Sequence, residues 1–349
     1  MNPVISISNL RKRFNLEAGF FARLGRYVHA VNGVSLQIGR NESYGLVGES
    51  GCGKTTTARL MVRMYEADEG EIMFQGSEGA PLNVRKLKGK EFKSYREKVK
   101  YVFQDPARSL NPRMTIYEVL TSGARWSTTR QPAAKLREDA AAILEEVGLS
   151  AEDLERRPAE FSGGQRQRIS IARSLLMKPD LLICDEVVSA LDVSIQGQIL
   201  NLLLDLRERR DLSLLFIAHD LKVASYFCDR IGVMYRGEIM EEAPAETLWK
   251  NHRHPYTELL FLSVGNVSEN TAHKESRNTK GEPGNFPPSE SRTALERSTT
   301  SVTKGCAFAS RCPHVGVLCL KAKPELKQVD ENHYVRCRRQ VKQGTEKKE

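Results

Sequence analysis

The chain has 349 residues, of which 40% are hydrophobic and 28% are charged. Its mean hydropathy is −0.44, which is typical of a globular protein that can bury a large core. No run approaches the ~18 apolar residues that a membrane-spanning helix needs. The first residues also lack the apolar segment of a secretory signal, so we expect a cytoplasmic protein.

The formal net charge is +9, and much of the positive excess lies in segment 82–100. The basic residues of this segment are Arg85, Lys86, Lys88, Lys90, Lys93, Arg96, Lys98 and Lys100. One interpretation of the pattern is the solvated face of a helix or loop. The other is contact with acidic lipid head groups or with nucleic acid.

Residues 1–264 alternate short apolar runs with helix-like segments. The apolar runs lie at residues 43–47, 100–104, 181–185 and 214–218. Runs of this kind suit strands that are buried on both faces of a mostly parallel sheet, so we predict an α/β fold. Two further runs, 231–233 and 238–240, flank Arg236-Gly237 and predict a hairpin.

A helical pattern fills the interval between two of these predicted strands. It covers about residues 105–165 and is clearest in 133–147, where apolar side chains recur on one helix face. We therefore predict a helical subdomain inserted into the sheet-forming part of the chain.

A glycine-rich loop follows the first core strand. It reads Gly48-Glu49-Ser50-Gly51-Cys52-Gly53-Lys54-Thr55, fits G-x4-G-K-[ST], and precedes a helical run that starts at Thr56. The glycines let backbone N–H groups curl around phosphate oxygens, and the helix N-terminus adds a favourable dipole. We expect Lys54 to neutralise the β- and γ-phosphates and the Thr55 hydroxyl to coordinate Mg²⁺.

Further polar residues stand at the ends of three other predicted strands. Asp185 is expected to hold the Mg²⁺ shell, and Glu186 is a candidate general base for the attacking water. Gln104 could reach both the Mg²⁺ and the water, and the helical region begins directly after it. His219 could bond the γ-phosphate and orient Glu186, although a lone histidine at a strand end is more often a satisfied polar residue.

Together with a second glycine-rich pentad, Phe161-Ser162-Gly163-Gly164-Gln165, these motifs resemble the ATPase domain of ABC transporters. The six family motifs occur in the family's order over roughly residues 4–264: Walker A at 48–55, the Q-loop at Gln104, the signature at 161–165, Walker B at 181–186, the D-loop at 189–192 and the switch residue His219. The resemblance implies a P-loop NTPase core with an N-terminal antiparallel β-subdomain. It also implies ATP hydrolysis.

The resemblance implies a head-to-tail dimer as well. Ser162, Gly163, Gly164 and Gln165 would bind the ATP of the partner subunit, with Asp192 in the D-loop. Within one subunit, the ATP-binding residues would be Phe14, Gly48, Glu49, Ser50, Gly51, Cys52, Gly53, Lys54, Thr55 and Thr56, and the Mg²⁺ ligands Thr55, Gln104 and Asp185. Phe14 holds the place of the family's adenine-stacking aromatic. Because residues 15–26 are inserted, Tyr27 is a possible substitute.

A finer resemblance is to the ATPase subunits of oligopeptide and dipeptide importers, and within them to the second of the two paired ATPases. It is carried by FQDP at 103–106, SLNP at 109–112, SALDVSIQGQ at 189–198 and HPYT at 254–257. One departure is Val187, which stands where the family usually has proline after Asp-Glu. We expect it to loosen the turn after the base.

The C-terminal part divides into three predicted segments. Residues 265–304 are polar and predict a flexible linker, 305–338 form a small cysteine module, and 339–349 are a charged tail. Cys306, Cys312, Cys319 and Cys337 are spaced C-x5-C-x6-C-x17-C and resemble the family tail that can hold a [4Fe–4S] cluster.

Spacing alone allows Zn²⁺ at this position equally, with His314 and His333 as spare imidazoles. Free, reduced cysteines are a further alternative. The family's link to the module is usually short, whereas residues 290–304 are inserted here. The docking of the module is therefore left open by the sequence.

We expect an energy-coupling subunit of an ABC importer for oligopeptides, dipeptides or similar solutes, in which ATP-driven dimer closure moves the permease. Its expected partners are two membrane permease subunits, a second ABC ATPase or another copy of itself, and indirectly an extracytoplasmic solute-binding protein. It would lie peripherally on the cytoplasmic face of the inner membrane.

The alternative is a soluble ABC ATPase acting on nucleic acid or the ribosome. We expect no nucleic acid as a partner, because only the basic segment supports this alternative. A third hypothesis makes the cysteine module a redox or iron sensor.

Overall fold

The computed structural model describes residues 3–15, 27–76, 79–124, 127–128, 131–263 and 304–339. Almost all of the predicted linker and charged tail therefore lies outside the described residues, as does most of the inserted segment 15–26. The strands are β1 Ile5–Asn15, β2 Tyr27–Ile38, β3 Ser43–Val47, β4 Glu69–Phe74, β5 Leu82–Asn83, β6 Val99–Val102, β7 Leu181–Asp185, β8 Ser213–Ala218, β9 Arg230–Tyr235, β10 Glu238–Pro244, β11 Lys327–Asp330 and β12 His333–Val335.

The helices lie mostly between β6 and β7 and after β8. They are α1 Lys54–Met61, α2 Gly89–Lys98, α3 Pro106–Ser109, α4 Ile116–Thr121, α5 Ala133–Glu146, α6 Gly163–Leu175, α7 Val193–Arg210, α8 Leu221–Phe227, α9 Ala245–Asn251, α10 Pro255–Ser263 and α11 Val317–Lys321. In the described part of the chain, none of them has the length and apolar character to cross a bilayer.

An antiparallel sheet is built from the N-terminal strands in the order β2-β1-β4-β5. In β1, Ile5, Ile7 and Leu10 are buried while the residues between them are more exposed. This alternation is expected of a sheet that packs one face on the core and leaves the other in water.

The central sheet has the order β11-β12-β10-β9-β3-β8-β7-β6, and its strands β9, β3, β8, β7 and β6 pair in parallel. Every residue of β3, β7 and β8 is buried, which confirms the prediction of strands covered on both faces. The predicted hairpin is also confirmed: β9 and β10 are antiparallel, and Arg236 and Gly237 turn between them with φ of 44° and 80°.

The helical region between β6 and β7 forms where the pattern predicts it. α5 buries Ala140, Ile143 and Leu144 on one face. α4 begins with a capping box, in which the Thr115 hydroxyl accepts from the Glu118 N–H and the Glu118 carboxylate accepts from the Thr115 N–H.

The cysteine module docks on the edge of the central sheet in this structure. β12 pairs with β10, with Glu241 opposite Val335. Phe308 is fully buried, and its ring lies 5.3 Å from Tyr235, 5.4 Å from Tyr256 and 5.7 Å from His254. The docking that the sequence left open is therefore defined by a strand pair and an aromatic cluster.

A buried carboxylate joins the same two parts of the chain. Glu241 accepts hydrogen bonds from His333 Nε2 at 2.7 Å and from the backbone N–H groups of Arg253 and His254. Burial by itself would raise the pKa of Glu241, but these hydrogen bonds outweigh burial and lower it. His333 is thus engaged with Glu241, and it is not the spare zinc ligand that the sequence suggested.

We expect Phe308→Ala to weaken the docking of the module, because it leaves a cavity within the aromatic cluster. Replacing a buried phenylalanine by alanine costs about 3–5 kcal/mol. Urea unfolding and amide hydrogen exchange of β12 would measure the loss. Val317→Ala is the matched control, since this side chain is 67% exposed in the same module. If the β12 amides of Phe308→Ala exchange as slowly as those of the unchanged protein, Phe308 does not hold the module in its docked position.

Candidate nucleotide-binding site

The phosphate loop follows β3 and packs tightly against two neighbouring strands. Gly48 has φ of 152° and Gly53 has φ of 113°. A Cβ on Gly48 would lie 2.1 Å from the Met234 carbonyl oxygen in β9, and one on Gly53 would lie 2.1 Å from the Ala30 carbonyl oxygen in β2. Both positions therefore require glycine, for conformation and for space.

Lys54 is held inside this loop. Its ammonium donates to the carbonyl oxygens of Gly48 at 2.6 Å and Glu49 at 3.1 Å, and the side chain is buried. The Gly237 N–H in the β9–β10 turn donates to the Cys52 carbonyl at 2.7 Å, which connects the phosphate loop to this turn. A buried cation among backbone dipoles can exchange a carbonyl partner for a phosphate oxygen at little cost in reorganisation.

Oxygen atoms from the start of α1 and from the end of β7 meet beside the loop. The Thr55 hydroxyl donates to Asp185 Oδ1 at 2.9 Å, and the Tyr101 hydroxyl donates to Asp185 Oδ2. A hydroxyl next to a carboxylate is a donor set of the kind that Mg²⁺ prefers. Burial raises the pKa of Tyr101, as does the adjacent Asp185 carboxylate, so Tyr101 stays a proton donor. The sequence reasoning missed Tyr101, and its place in β6 beside β7 is the signal that could have found it.

Glu186 and Gln104 are also brought together. Gln104 Nε2 donates to Glu186 Oε2 at 2.8 Å. Glu186 has φ of 49°, and its N–H donates to the Ile217 carbonyl in β8 at 3.1 Å. The predicted strand 100–104 ends earlier than expected, at Val102. Gln104 consequently lies in an exposed loop between the sheet and the helical region.

Other predicted site residues are less closely engaged. His219 is exposed just after β8 and, within the described part of the chain, forms no hydrogen bond with Glu186. Phe14 packs edge-on against Tyr65 at 5.3 Å, and Tyr27 lies beneath the Arg13 guanidinium. The catalytic role of His219 and the adenine-stacking role of Phe14 stay predictions. Val187 is buried in the core.

The signature pentad begins α6. The Ser162 hydroxyl accepts from the Gln165 N–H at 3.3 Å, and Gln165 Oε1 accepts from the Ser162 N–H at 2.9 Å. This reciprocal cap leaves Ser162 and Gly163 exposed at a helix N-terminus, where an anion is favoured. A Cβ on Gly164 would lie 2.7 Å from Ile195 Cγ2 in α7. Asp192, at the start of α7, is exposed.

The four cysteines of the module face one small cavity of about 30 Å³, which His314 and Phe308 also line. The Cys306 N–H donates to the Cys319 carbonyl at 2.7 Å, and burial raises the pKa of the Cys306 and Cys312 thiols. Over the described ranges, no three histidine, cysteine or acidic side chains are close enough together to hold a single metal ion.

Comparison with known proteins agrees with this geometry. The chain matches the family model described as ABC transporter over residues 31–189, and the one described as oligopeptide/dipeptide transporter, C-terminal region, over residues 240–319. It is 41% identical over 341 residues to the oligopeptide transport ATP-binding protein AppF of Bacillus subtilis, covering 96% of each chain. The chain belongs to the ABC transporter ATPase family. Within it, the chain falls in the oligopeptide/dipeptide transporter group, and ATPase activity follows from the family.

One further relative and one solved structure agree with this family assignment. This ABC ATPase is 43% identical over 261 residues to the oligopeptide transport ATP-binding protein OppF of Bacillus subtilis, covering 75% of this chain and 82% of OppF. Among solved structures, the ATP-binding cassette MJ0796, a dimer in its post-hydrolysis state bound to ADP and Pi, superposes with a TM-score of 0.59 at 26% identity. That match covers 69% of this chain and 98% of MJ0796. The predicted P-loop NTPase fold is confirmed.

We expect Gly164→Ala to lower ATP turnover, because the new Cβ would push the signature helix away from Ile195. A displacement near 1 Å at a positioning group can cost about 10²-fold in rate. Steady-state ATPase measurements with purified protein would show the loss. Gly197→Ala in α7 is the matched control, since a Cβ there meets nothing within 4 Å. Equal turnover in both variants would contradict the role of the pentad.

Proposed function

We propose that this ABC ATPase is the energy-coupling subunit of an importer for oligopeptides, dipeptides or similar solutes. The observation that carries the proposal is the similarity to AppF, which extends over 96% of both chains and includes the C-terminal region. A role on nucleic acid or the ribosome is less well supported. The basic residues 86, 88, 90 and 93 are exposed on or beside α2, while Tyr95 of the same helix turns into the core, as in an ordinary solvated helix.

The nucleotide chemistry follows from the contacts around β3 and β7. Lys54 and the loop N–H groups would bind the phosphates, and Thr55, Asp185 and Gln104 would hold Mg²⁺. Bound Mg²⁺ supplies charge neutralisation at the phosphate oxygens. Glu186 would accept a proton from the attacking water, with its carboxylate oriented by the hydrogen bond from Gln104.

The coupling path would start at the same hydrogen bond. The Gln104 side chain donates a hydrogen bond to Glu186, and Gln104 itself lies two residues before α3, where the helical region begins. In the proposed head-to-tail dimer, Ser162 and Gly163 of one subunit would close over the ATP of its partner. The helical region would then pass this movement to two membrane permease subunits, which hold the ATPase at the cytoplasmic face of the membrane. A solute-binding protein on the other side would deliver the cargo.

The test is reconstitution of the ATPase with its permease subunits in vesicles. We expect a peptide-loaded binding protein to raise ATP turnover, and Glu186→Gln to bind ATP and dimerise but hydrolyse it about 10²–10⁴ times more slowly. Glu208→Gln, an exposed change on α7, is the control. Near-normal hydrolysis in Glu186→Gln would refute the role of that residue. Stimulation by nucleic acid or ribosomes, with none by the loaded binding protein, would refute the importer.

We also propose that the cysteine module holds a [4Fe–4S] cluster. A tetrahedral zinc site needs Zn–S bonds of about 2.3 Å, hence sulfurs about 3.8 Å apart. The thiols share one cavity but are not grouped for a single ion. The support for a cluster is the four-cysteine spacing, which resembles the family's C-terminal tail; in a cluster each thiolate would bind a different iron. Cys306, Cys312, Cys319 and Cys337 would be the ligands.

Anaerobic purification followed by iron and sulfide analysis and visible absorption tests the cluster. We expect absorption from sulfur-to-iron charge transfer, and we expect Cys319→Ser to lose it along with the iron. His314→Ala is the matched control from the same cavity and should keep the iron. A colourless protein with stoichiometric zinc, lost in His314→Ala, would overturn the assignment.

A further inference from the structure

The cysteine module touches the phosphate loop directly through one ion pair. Arg311 Nη1 donates to Glu49 Oε2 at 2.8 Å, and Arg311 Nη2 donates to Glu49 Oε1 at 3.0 Å. Glu49 is the second residue of the phosphate loop, and Arg311 ends the short 3₁₀ turn Ala309–Arg311 of the module. Two parallel bonds between a guanidinium and a carboxylate fix direction as well as distance.

The module holds Arg311 in place for this contact. Its guanidinium lies 5.8 Å from the centre of the Tyr235 ring and 5.9 Å from that of Phe308. Phe308 belongs to the module and is itself fully buried. The docking of the module therefore helps to position the Arg311 head group, in addition to the ion pair with Glu49.

Glu49 is held at three separate points. Its backbone N–H donates to the Tyr256 hydroxyl at 3.0 Å, its carbonyl oxygen accepts from Lys54 Nζ at 3.1 Å, and its carboxylate accepts from Arg311. Two of these partners, Tyr256 and Arg311, come from the part of the chain that follows the β9–β10 hairpin. That part of the chain thus restrains the loop whose N–H groups must converge on the phosphates.

The charge of Glu49 gives the pair a second effect. A carboxylate in a phosphate-binding loop repels the polyphosphate of ATP unless a cation offsets it. The two side chains are 40% and 39% exposed, so water screens part of this repulsion and the effect on affinity is moderate. Within the loop, Lys54 is the cation available to the phosphates, and it points to the loop carbonyls.

We propose that Arg311 is a positioning residue for the ATP site of its own subunit. Through Glu49 it holds the phosphate loop in the conformation that accepts nucleotide, and it cancels a negative charge beside the phosphates. The proposal concerns ATP binding by this ABC ATPase. It depends neither on peptide as the cargo nor on a metal in the cysteine cavity.

The test is the ATP dependence of hydrolysis, with nucleotide binding, by the full-length protein. We expect Arg311→Ala to raise the KM for ATP about fivefold while kcat changes little, as for loss of a partly exposed ion pair. Adding Glu49→Gln to Arg311→Ala should recover the part of the affinity that is lost to the unpaired charge, while the part lost with the restraint of the loop remains lost. Arg311→Lys keeps the charge without the fork and should fall between, and it also serves if Arg311→Ala does not fold.

Lys323→Ala is the matched control. Lys323 joins the same module to the sheet by an ion pair at 2.9 Å to Glu238, which is not a residue of the phosphate loop, and its loss should leave the KM for ATP unchanged. The proposal is overturned if Arg311→Ala has an unaltered KM. No recovery on adding Glu49→Gln would refute the charge effect. An equal rise in KM for Lys323→Ala would overturn the proposal, since it would mean that only docking was weakened. These expected KM values do not depend on the importer proposal and would be the same if that proposal were refuted.

Discussion

Parallel pairing of β6, β7, β8 and β3 is the constraint on which the rest of this ABC ATPase depends. Parallel strands present their carboxyl ends at one edge of the sheet, so residues that follow different strands meet there. The result is visible in the 2.9 Å hydrogen bond between Thr55, after β3, and Asp185, at the end of β7. It is visible again where Glu186 donates its N–H to β8 and accepts a hydrogen bond from Gln104. A shift in register by one residue would separate all of these groups.

The C-terminal module is integrated with this sheet by buried charge as well as by packing. Glu241 is enclosed at the β10–β12 junction and accepts hydrogen bonds from His333 and two backbone N–H groups. Glu238, also buried, is paired with Lys323 and Asn32. Burying a carboxylate is costly unless it is hydrogen-bonded or paired. The module's partners therefore make the docked arrangement specific, because undocking would take His333 from Glu241 and Lys323 from Glu238.

Much of the architecture could be predicted from short stretches of sequence. The runs at 43–47 and 181–185 coincide with β3 and β7, and the helical pattern at 133–147 corresponds to α5, because apolar content and periodicity are local properties. The end of β6 was placed two residues too late. An apolar and aromatic sequence at 101–103 does not show where the neighbouring strand stops pairing. The interpretation of His333 as a spare imidazole was wrong for a similar reason. Its partner, Glu241, lies 92 residues earlier in the chain.

The sequence by itself determined where the phosphate loop lies. A phosphate loop needs particular backbone angles within a short segment, and the glycines that permit them, Gly48, Gly51 and Gly53, lie close together in the chain. Only the tertiary structure decided the pairings across long separations. Tyr101 with Asp185 spans 84 residues, and Arg311 with Glu49 spans 262. A charged or hydroxyl side chain has many possible partners along a chain of this length. The sheet order and the docking of the module select one of them, and neither is encoded in any single stretch of residues.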